Sequence, residues 1–428
     1  MNLEKLMDDN YAAFFMLNNN YVDKKSSEIN LFVDVTNKIF KYVKKLLLHF
    51  FIFIKHFPYS KNYSNKIIFY TISTNNYDSL FPVYKALEKD SIIISSDYRL
   101  ANKAVLLPMI IPLIISIFFI PLLIINTVYT NLKIRKRILL YLDDILLSMG
   151  FNYFVKHYLK ILNPTAIIFS HDHTFYARSL IKSAEAINIP CFYIQHSAIT
   201  NNFPPINSSY ALLEGKDSLK KYYPNGHPKD QVFLIGSPKF DKHLNHINNK
   251  TIADKIGICS TSSMDKNQVI RLIDEIKNKI DSNKIYFRPH PAEMINNKYN
   301  DYQSFNDFRY SNPLHEDSYN FLRNIDVVIT GNSSILLEAA MMNVYPILWR
   351  DSKSITKYND DPADKYGFIK NGLAVPCDSI SEIIDCLDKV KMKKPDIRAN
   401  ASFYIENINT DWDGQSVDYA ATIIKNNI

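Results

Sequence analysis

Cysteine is nearly absent from this chain. The four residues, Cys191, Cys259, Cys377 and Cys386, stand far apart and include no CxxC pair. That argues against a disulfide scaffold or a zinc site and reads as reduced thiols in a cytoplasmic core. Glycine is scarce too, at 9 of 428 residues, while Asn, Ile, Lys and Tyr are plentiful. Such a bias follows an AT-rich genome, so the Lys and Asn counts carry little weight. An excess of one charge is also missing. The 50 basic and 43 acidic side chains leave +7, too modest at this length to imply nucleic acid as a partner. The opening "MNLEKLMDDNYAAFFMLNNN" holds no apolar core behind a basic start, so no secretion signal is read there.

What is present reads as folded protein. Hydrophobic residues make up 47% of the chain, and this length favours two domains over one core. Short apolar runs recur and end in polar or turn residues. They are "KIIFYTIST" (66–74), "SIIISSDY" (91–98), "TAIIFSHDH" (165–173), "CFYIQHS" (191–197), "YALLEGK" (210–216) and "VFLIGS" (232–237). Helical segments such as 176–188 separate them, which predicts a parallel, doubly wound α/β sheet. The pattern restarts with "IGICSTSS" (256–263), an amphipathic helix over 266–280, "KIYFRPHP", "IDVVITGNSS" (325–334), and strands over 345–351 and 373–379. Two halves therefore meet around residues 237–255, where "SPKFDKHLNHINNK" reads as a polar linker.

Ligands of open parallel sheets sit beyond the carboxyl ends of the strands. Three polar clusters fall there in the second half: Ser260, Thr261, Ser262 and Ser263; Arg288 and His290; and Asn332, Ser333 and Ser334 behind Gly331. The "GNSS" loop opens a helix, so Ser333 and Ser334 precede free backbone N–H groups suited to an anion. Either serine also reads as a plain N-cap. Glu338 lies on the same helix face as Ser334, where a carboxylate accepts from ribose hydroxyls. His290 is clamped between Pro289 and Pro291, which fixes an imidazole able to donate to a phosphate oxygen. Arg288 falls on the opposite strand face.

"RPHP" followed by "GNSSILLEA" resembles the paired HP and serine motifs of bacterial GT-B glycosyltransferases. The nearest in kind are the sialyl- and Kdo-type transferases of capsule and lipopolysaccharide synthesis, which use CMP-activated acidic sugars. The CDP-glycerol glycerophosphotransferases share the HP element. The resemblance spans roughly residues 165–428. It implies two Rossmann-like domains facing a central cleft, with His290, Ser333 and Ser334 on the nucleotide phosphate. Residues 1–237 would form the acceptor domain and 238–410 the nucleotide-sugar domain. Residues 411–428 would form a helix returning to the first domain. A competing resemblance runs through "SHDHTFYARSLIKSAEAINIP" and "QHS", which is similar to non-hydrolysing UDP-N-acetylglucosamine 2-epimerases. There His171 replaces a glycine, a following His-x-Glu-x-Gly element is absent, and "GNSS" replaces Ser-Gly-Gly. These departures favour a transferase, with the epimerase and the polyol-phosphate transferase as alternatives.

The first half then supplies a general base for a hydroxyl acceptor. Asp172, between His171 and His173, is the first candidate, and His196 the second. His196 reads equally as a packed strand-end histidine. His-Asp-His adjacency is poor metal geometry, so no metal or other cofactor is expected. Finally, "AVLLPMIIPLIISIFFIPLLIINTVY" (104–129) has no charge and three prolines, and "NLKIRKR" follows. A straight crossing would split one sheet across a bilayer. The expectation is a removable insert, re-entrant or monotopic at the inner face of the cell membrane, with Lys133, Arg135, Lys136 and Arg137 at anionic headgroups and 40–57 reinforcing it. A lipid-linked glycan acceptor follows from that placement.

Overall fold

The computed structural model describes residues 3–28, 31–56, 63–225, 231–262, 264–295, 298–299, 308–350, 361 and 363–428. Within them the chain builds two parallel sheets. The first contains β1 (Ile67–Thr71), β2 (Ser91–Ser95), β3 (Val105–Leu106), β4 (Ala166–Phe169), β5 (Cys191–Ile194), β6 (Tyr210–Leu213) and β7 (Gln231–Leu234). Its order is β3-β2-β1-β4-β5-β6-β7. The second contains β8 (Ile256–Cys259), β9 (Ile285–Arg288), β10 (Arg309–Tyr310), β11 (Val327–Thr330), β12 (Tyr345–Trp349) and β13 (Val375–Cys377), in the order β10-β9-β8-β11-β12-β13. Runs such as "IIFYT" and "VVIT" are buried along their whole length, as strands covered by helices on both faces must be. Phe69 lies between Ile93 and Ile168 in register, which seats β1 at the centre of its sheet. Strand order reverses between β1 and β4, and again between β8 and β11. Each reversal opens a crevice at the carboxyl edge, where the polar loops of the sequence fall.

The terminal helix Ser416–Asn426 packs on the first sheet. Ala420, Ile423 and Ile424 share a core with Leu80 and Val83 of the helix Thr74–Ala86. The chain returning to it passes the sheet edge closely. Gly236 adopts φ +71°, and a Cβ there would collide with Asn407, so only glycine fits. The stretch read as a polar linker is a packed joint. Phe240 and His243 are buried, and the His243 ring stacks on Tyr319 of the second domain at 4.2 Å.

The apolar stretch 104–129 is not a removable insert. It begins with β3, an edge strand on β2. Leu107, Met109 and Leu113 then enter the main core of the first domain. Two short helices follow, Ile110–Ile117 and Ile120–Val128, bent by 55° at the break. Among the described residues no single helix is long and apolar enough to cross a membrane. The basic cluster behind them divides. Arg137 is buried and donates to Phe14 O and to Asn19 Oδ1, fastening the N-terminal segment. Arg135 donates to Thr127 O, Val128 O and Thr130 O, closing the end of the second helix. Of the other two, Lys133 is exposed and Lys136 is half-buried.

The long helix Leu31–His56 lies against this region with its polar face inward. Lys38 donates to Leu139 O, and Lys41 pairs with Asp143 at 3.1 Å. Lys45 pairs with Asp144 at 3.8 Å, and Tyr42 donates to Leu113 O. Its apolar face therefore turns out. Phe40, Val43, Leu47, Phe51 and Ile54 are exposed at helical spacing. Ile114, Ile124, Ile125 and Val128 of the two short helices are exposed as well, as is Phe118 in the turn between them. A helix in water ordinarily buries this stripe. Here ion pairs hold it outward, leaving an apolar surface that water penalises.

Candidate active site

The loop after β4 gathers three candidates around one side chain. Asp172 is buried, and its Oδ2 accepts from the Tyr222 hydroxyl at 2.6 Å. Its Oδ1 lies 3.2 Å from His173 Nδ1. The His171 and His173 rings stand 4.1 Å apart, and His196 of the next strand end lies 5.7 Å from His171. The four candidates thus form one cluster with unequal roles. Burial, with His173 and His196 adding, holds His171 well below the usual histidine range. Burial, with Lys239 and His173 adding, holds His196 down at about 4. Both stay neutral and are weak bases at neutral pH. His173 is different. With Nδ1–H turned to the Asp172 carboxylate, its Nε2 lone pair is left to accept a proton, and the residue lines a cavity. Asp172 is better placed to orient His173 than to act directly.

Across the cleft, the loops after β8 and β11 touch. A Cβ on Gly331 would lie 3.4 Å from the Thr261 side chain. Ser260 Oγ accepts from the His290 backbone N–H at 3.2 Å and donates to Glu293. Ser260 therefore shapes the HP loop from inside. Thr261 is buried beside Gly331, Ser262 is exposed, and Ser263 lies outside the described residues. His290 Nδ1 accepts from the Ala292 N–H at 3.1 Å. That bond requires an unprotonated Nδ1, so the exposed ring presents Nε2–H as a donor. Loss of water on the side packed against the loop lowers its pKa, with Glu293 opposing, and favours this neutral form over an imidazolium. The helix after "GNSS" is only Ile335–Met341, and Ser334 makes no cap bond. Asn332 Oδ1 accepts from Lys365 N. Ser333 Oγ lies 3.5 Å from Ile335 N. Any anion here would meet loop amides more than a helix end. Arg288 is turned away from this group. Its guanidinium donates to Ser311 Oγ at 2.7 Å and Glu316 O at 2.8 Å; alternation is not the cause, since residues 288 and 290 are two apart and His290 lies beyond the end of β9.

One residue of this site falls in the stretch 237–255 that reads as a polar linker. Lys239 reaches Glu338 Oε1 at 3.0 Å, so it ties the first domain to the helix that follows "GNSS". Burial opposes its charge, but the Glu338 and Glu214 carboxylates more than offset that and raise its pKa. A half-buried lysine after a Gly-Ser-Pro turn has no periodic signature; only the fold brings it to the cleft. Glu214 lies beneath it, with Oε2 accepting from Gln195 Nε2 at 3.1 Å and Oε1 from Ser237 Oγ at 3.0 Å. Burial pushes Glu214 up to about 7, against the pull of Lys239 and Ser237. Its folded pKa stands above the unfolded value of 4.5, so its stabilising share is full below 4.5 and lost as pH rises through about 7. Glu214→Gln should remove that dependence. In urea melts, the stability of the native chain relative to the variant should fall by on the order of 3 kcal/mol between pH 4.5 and 8. A pH-independent difference would mean Glu214 titrates normally. Reading the difference cancels His196, whose lowered pKa acts with the opposite sign.

No protein-family model matches the chain, and no curated protein matches it. Solved structures do. The UDP-GlcNAc 2-epimerase of Methanocaldococcus jannaschii aligns with 85% of this chain and 99% of its own, at TM-score 0.52 and 14% identity. The UDP-GlcNAc 2-epimerase of Neisseria meningitidis, bound to UDP-GlcNAc, aligns with 85% of this chain and 100% of its own, at TM-score 0.54 and 12% identity. The wall teichoic acid polymerase TagF aligns with 92% of this chain and 98% of its own, at TM-score 0.51 and 12% identity. At such identity the likeness is one of fold. The chain has the GT-B architecture: two parallel Rossmann-like α/β domains facing a cleft.

Proposed function

We propose that this protein is a GT-B glycosyltransferase that moves a sugar from a nucleotide-activated donor to a hydroxyl of a surface polysaccharide or lipid-linked glycan. The observation that carries the reading is the pairing across the cleft. The Lys239–Glu338 bridge joins the strand-end side of the first domain, where the histidine cluster lies, to the helix behind two touching polar loops at the switch point of the other domain. His290 Nε2–H, Ser333, Ser334 and the Asn332 loop would hold the donor phosphate. Glu338 would take the ribose, with Lys239 released to the phosphate. His173, oriented by Asp172, would deprotonate the acceptor. The donor placed first is a CMP-linked acidic sugar of sialic or Kdo type, on the motif resemblance. CDP-glycerol and UDP-GlcNAc chemistry are supported by the structural neighbours. The transfer is proposed to need no metal, and the protein to lie at the inner face of the cell membrane through its outward apolar surface.

A thermal-shift panel of CMP, CDP, UDP and GDP separates the donor classes, because a ligand of the folded state alone raises the melting temperature. His290→Ala and Ser334→Ala should each weaken binding of the selected nucleotide by about 1–3 kcal/mol, with folding intact. Unchanged affinity in both variants would remove the phosphate site. Conversion of UDP-GlcNAc to its 2-epimer without an acceptor would replace the transferase reading with the epimerase.

A further inference from the structure

A cavity of about 280 Å³ opens beside the histidine cluster. It lies at the switch crevice of the first sheet, with Ile72 following β1 and His173 following β4. Its outer wall is the N-terminal segment around Asn10. That wall is fastened down. Lys182 pairs with Asp9 at 2.6 Å and also with Asp8, and Arg178 pairs with Asp8 above the Tyr11 ring.

The lining mixes two chemistries. The rings of Tyr141, Phe175 and Tyr176 supply flat apolar faces, and Phe175 and Tyr176 lie 4.0 Å apart. Between them stand polar groups with unmet capacity. Thr174 precedes a helix without capping it, and its buried Oγ1 has no hydrogen-bond partner. The Asn10 amide NH2 is committed to Leu6 O and Ser148 Oγ, so toward a ligand the side chain can act only as an acceptor, through Oδ1. Asp144 adds a carboxylate to the lining, and His173 adds its ring.

We propose that this cavity binds a neutral sugar ring of the acceptor and presents one of its hydroxyls to His173. The inference rests on the transferase reading and adds the chemical class of the acceptor. A pyranose has C–H faces for the aromatic rings and hydroxyl edges for Asn10, Thr174 and Asp144. A bare lipid chain would bury those polar groups without partners. A phosphate or carboxylate would face Asp144, and no Lys or Arg is among the lining residues; Lys45 pairs with Asp144 from 3.8 Å but does not line the cavity. Ala13 and Tyr141 of the lining also pack in one cluster with Phe119, Leu122 and Leu123. The cavity thus adjoins the outward apolar helices, which suits a glycan whose lipid stays in a bilayer.

The test uses the full chain without donor, by saturation-transfer NMR and competition titration. The probes are lactose, chitobiose and sn-glycerol 3-phosphate. The two neutral sugars should bind and glycerol phosphate should not. Thr174→Val and Tyr141→Ala should each lower sugar affinity by about fivefold or more, the loss of one neutral contact. The nucleotide-induced thermal shift should persist in both variants, which certifies folding. Absence of neutral-sugar binding, or binding that neither variant weakens, overturns the proposal. So does glycerol phosphate binding that both variants weaken. Sugar binding as expected, with no transfer from any nucleotide donor, would instead sink the transferase reading and leave the cavity standing.

Discussion

His173→Ala is expected to lower turnover by about 10²–10⁴-fold while leaving nucleotide affinity unchanged. The reason is a chain of contacts that ends on one lone pair. The Tyr222 hydroxyl donates to Asp172 at 2.6 Å and lies 3.2 Å from the Tyr193 hydroxyl. The Asp172 carboxylate then takes His173 Nδ1–H at 3.2 Å, which fixes the tautomer and leaves the Nε2 lone pair free on a ring that lines the cavity. A carboxylate behind an imidazole also stabilises the imidazolium formed when the acceptor loses its proton. Asp172→Asn should therefore cost nearly as much as His173→Ala. It leaves the imidazole in place but offers the wrong partner to Nδ1. Tyr222→Phe should cost about tenfold, because it removes one bond from a carboxylate that stays in position. The losses should fall on kcat, with the acceptor KM little changed. His196 provides the contrast. Its pKa of about 4 makes it a poor base, so His196→Ala should act through packing alone. Near-normal turnover in His173→Ala with loss in His196→Ala would reverse this assignment.

The parts of this molecule that were legible in the sequence share one property: they are written in neighbouring residues. Runs of β-branched and aromatic residues marked β1, β2, β4 to β9 and β11 to β13, most of them buried on both faces, with the edge strand β7 only half-buried. Helices such as Lys266–Lys277 were marked by an apolar stripe at helical spacing. The polar clusters could be placed at strand ends for the same reason. What stayed hidden depends on distant partners. β3 is two residues inside a long apolar run, and only its pairing with β2 distinguishes it. The value of Lys239 comes from Glu214 and Glu338, about a strand and a domain away. The HP motif could be found, but not the Ala292 N–H that sets the tautomer of His290. Asp172 and His173 were both visible, while their division of labour needed Tyr222, fifty residues on. The N-terminal segment carries no motif at all. Its ion pairs to Arg178 and Lys182 make it a cavity wall.

Replacing Phe40, Phe51, Phe118 and Ile124 together by serine should move the protein from the membrane to the soluble fraction. These side chains are 62%, 65%, 80% and 57% exposed, so they contribute little to the core and the variant should fold. Each would contribute roughly 1.5–3 kcal/mol when sunk into lipid. Four together amount to about 6 kcal/mol or more, some four decades in partitioning. The remaining attraction, from exposed lysines such as Lys44 and Lys133, should then be removable with salt. Nucleotide binding should persist, since His290, Ser333, Ser334 and Glu338 all lie in the other domain. Activity on a lipid-linked acceptor should fall, while activity on a soluble fragment should hold, because docking raises the local acceptor concentration without touching the transition state. Leu113→Ala is the control. Leu113 lies in the same apolar stretch but is fully buried, so its loss should cost about 2–5 kcal/mol of stability and release nothing from the membrane. Native protein that stays soluble without detergent, and a quadruple variant that unfolds, would together show that this surface is covered by protein rather than lipid.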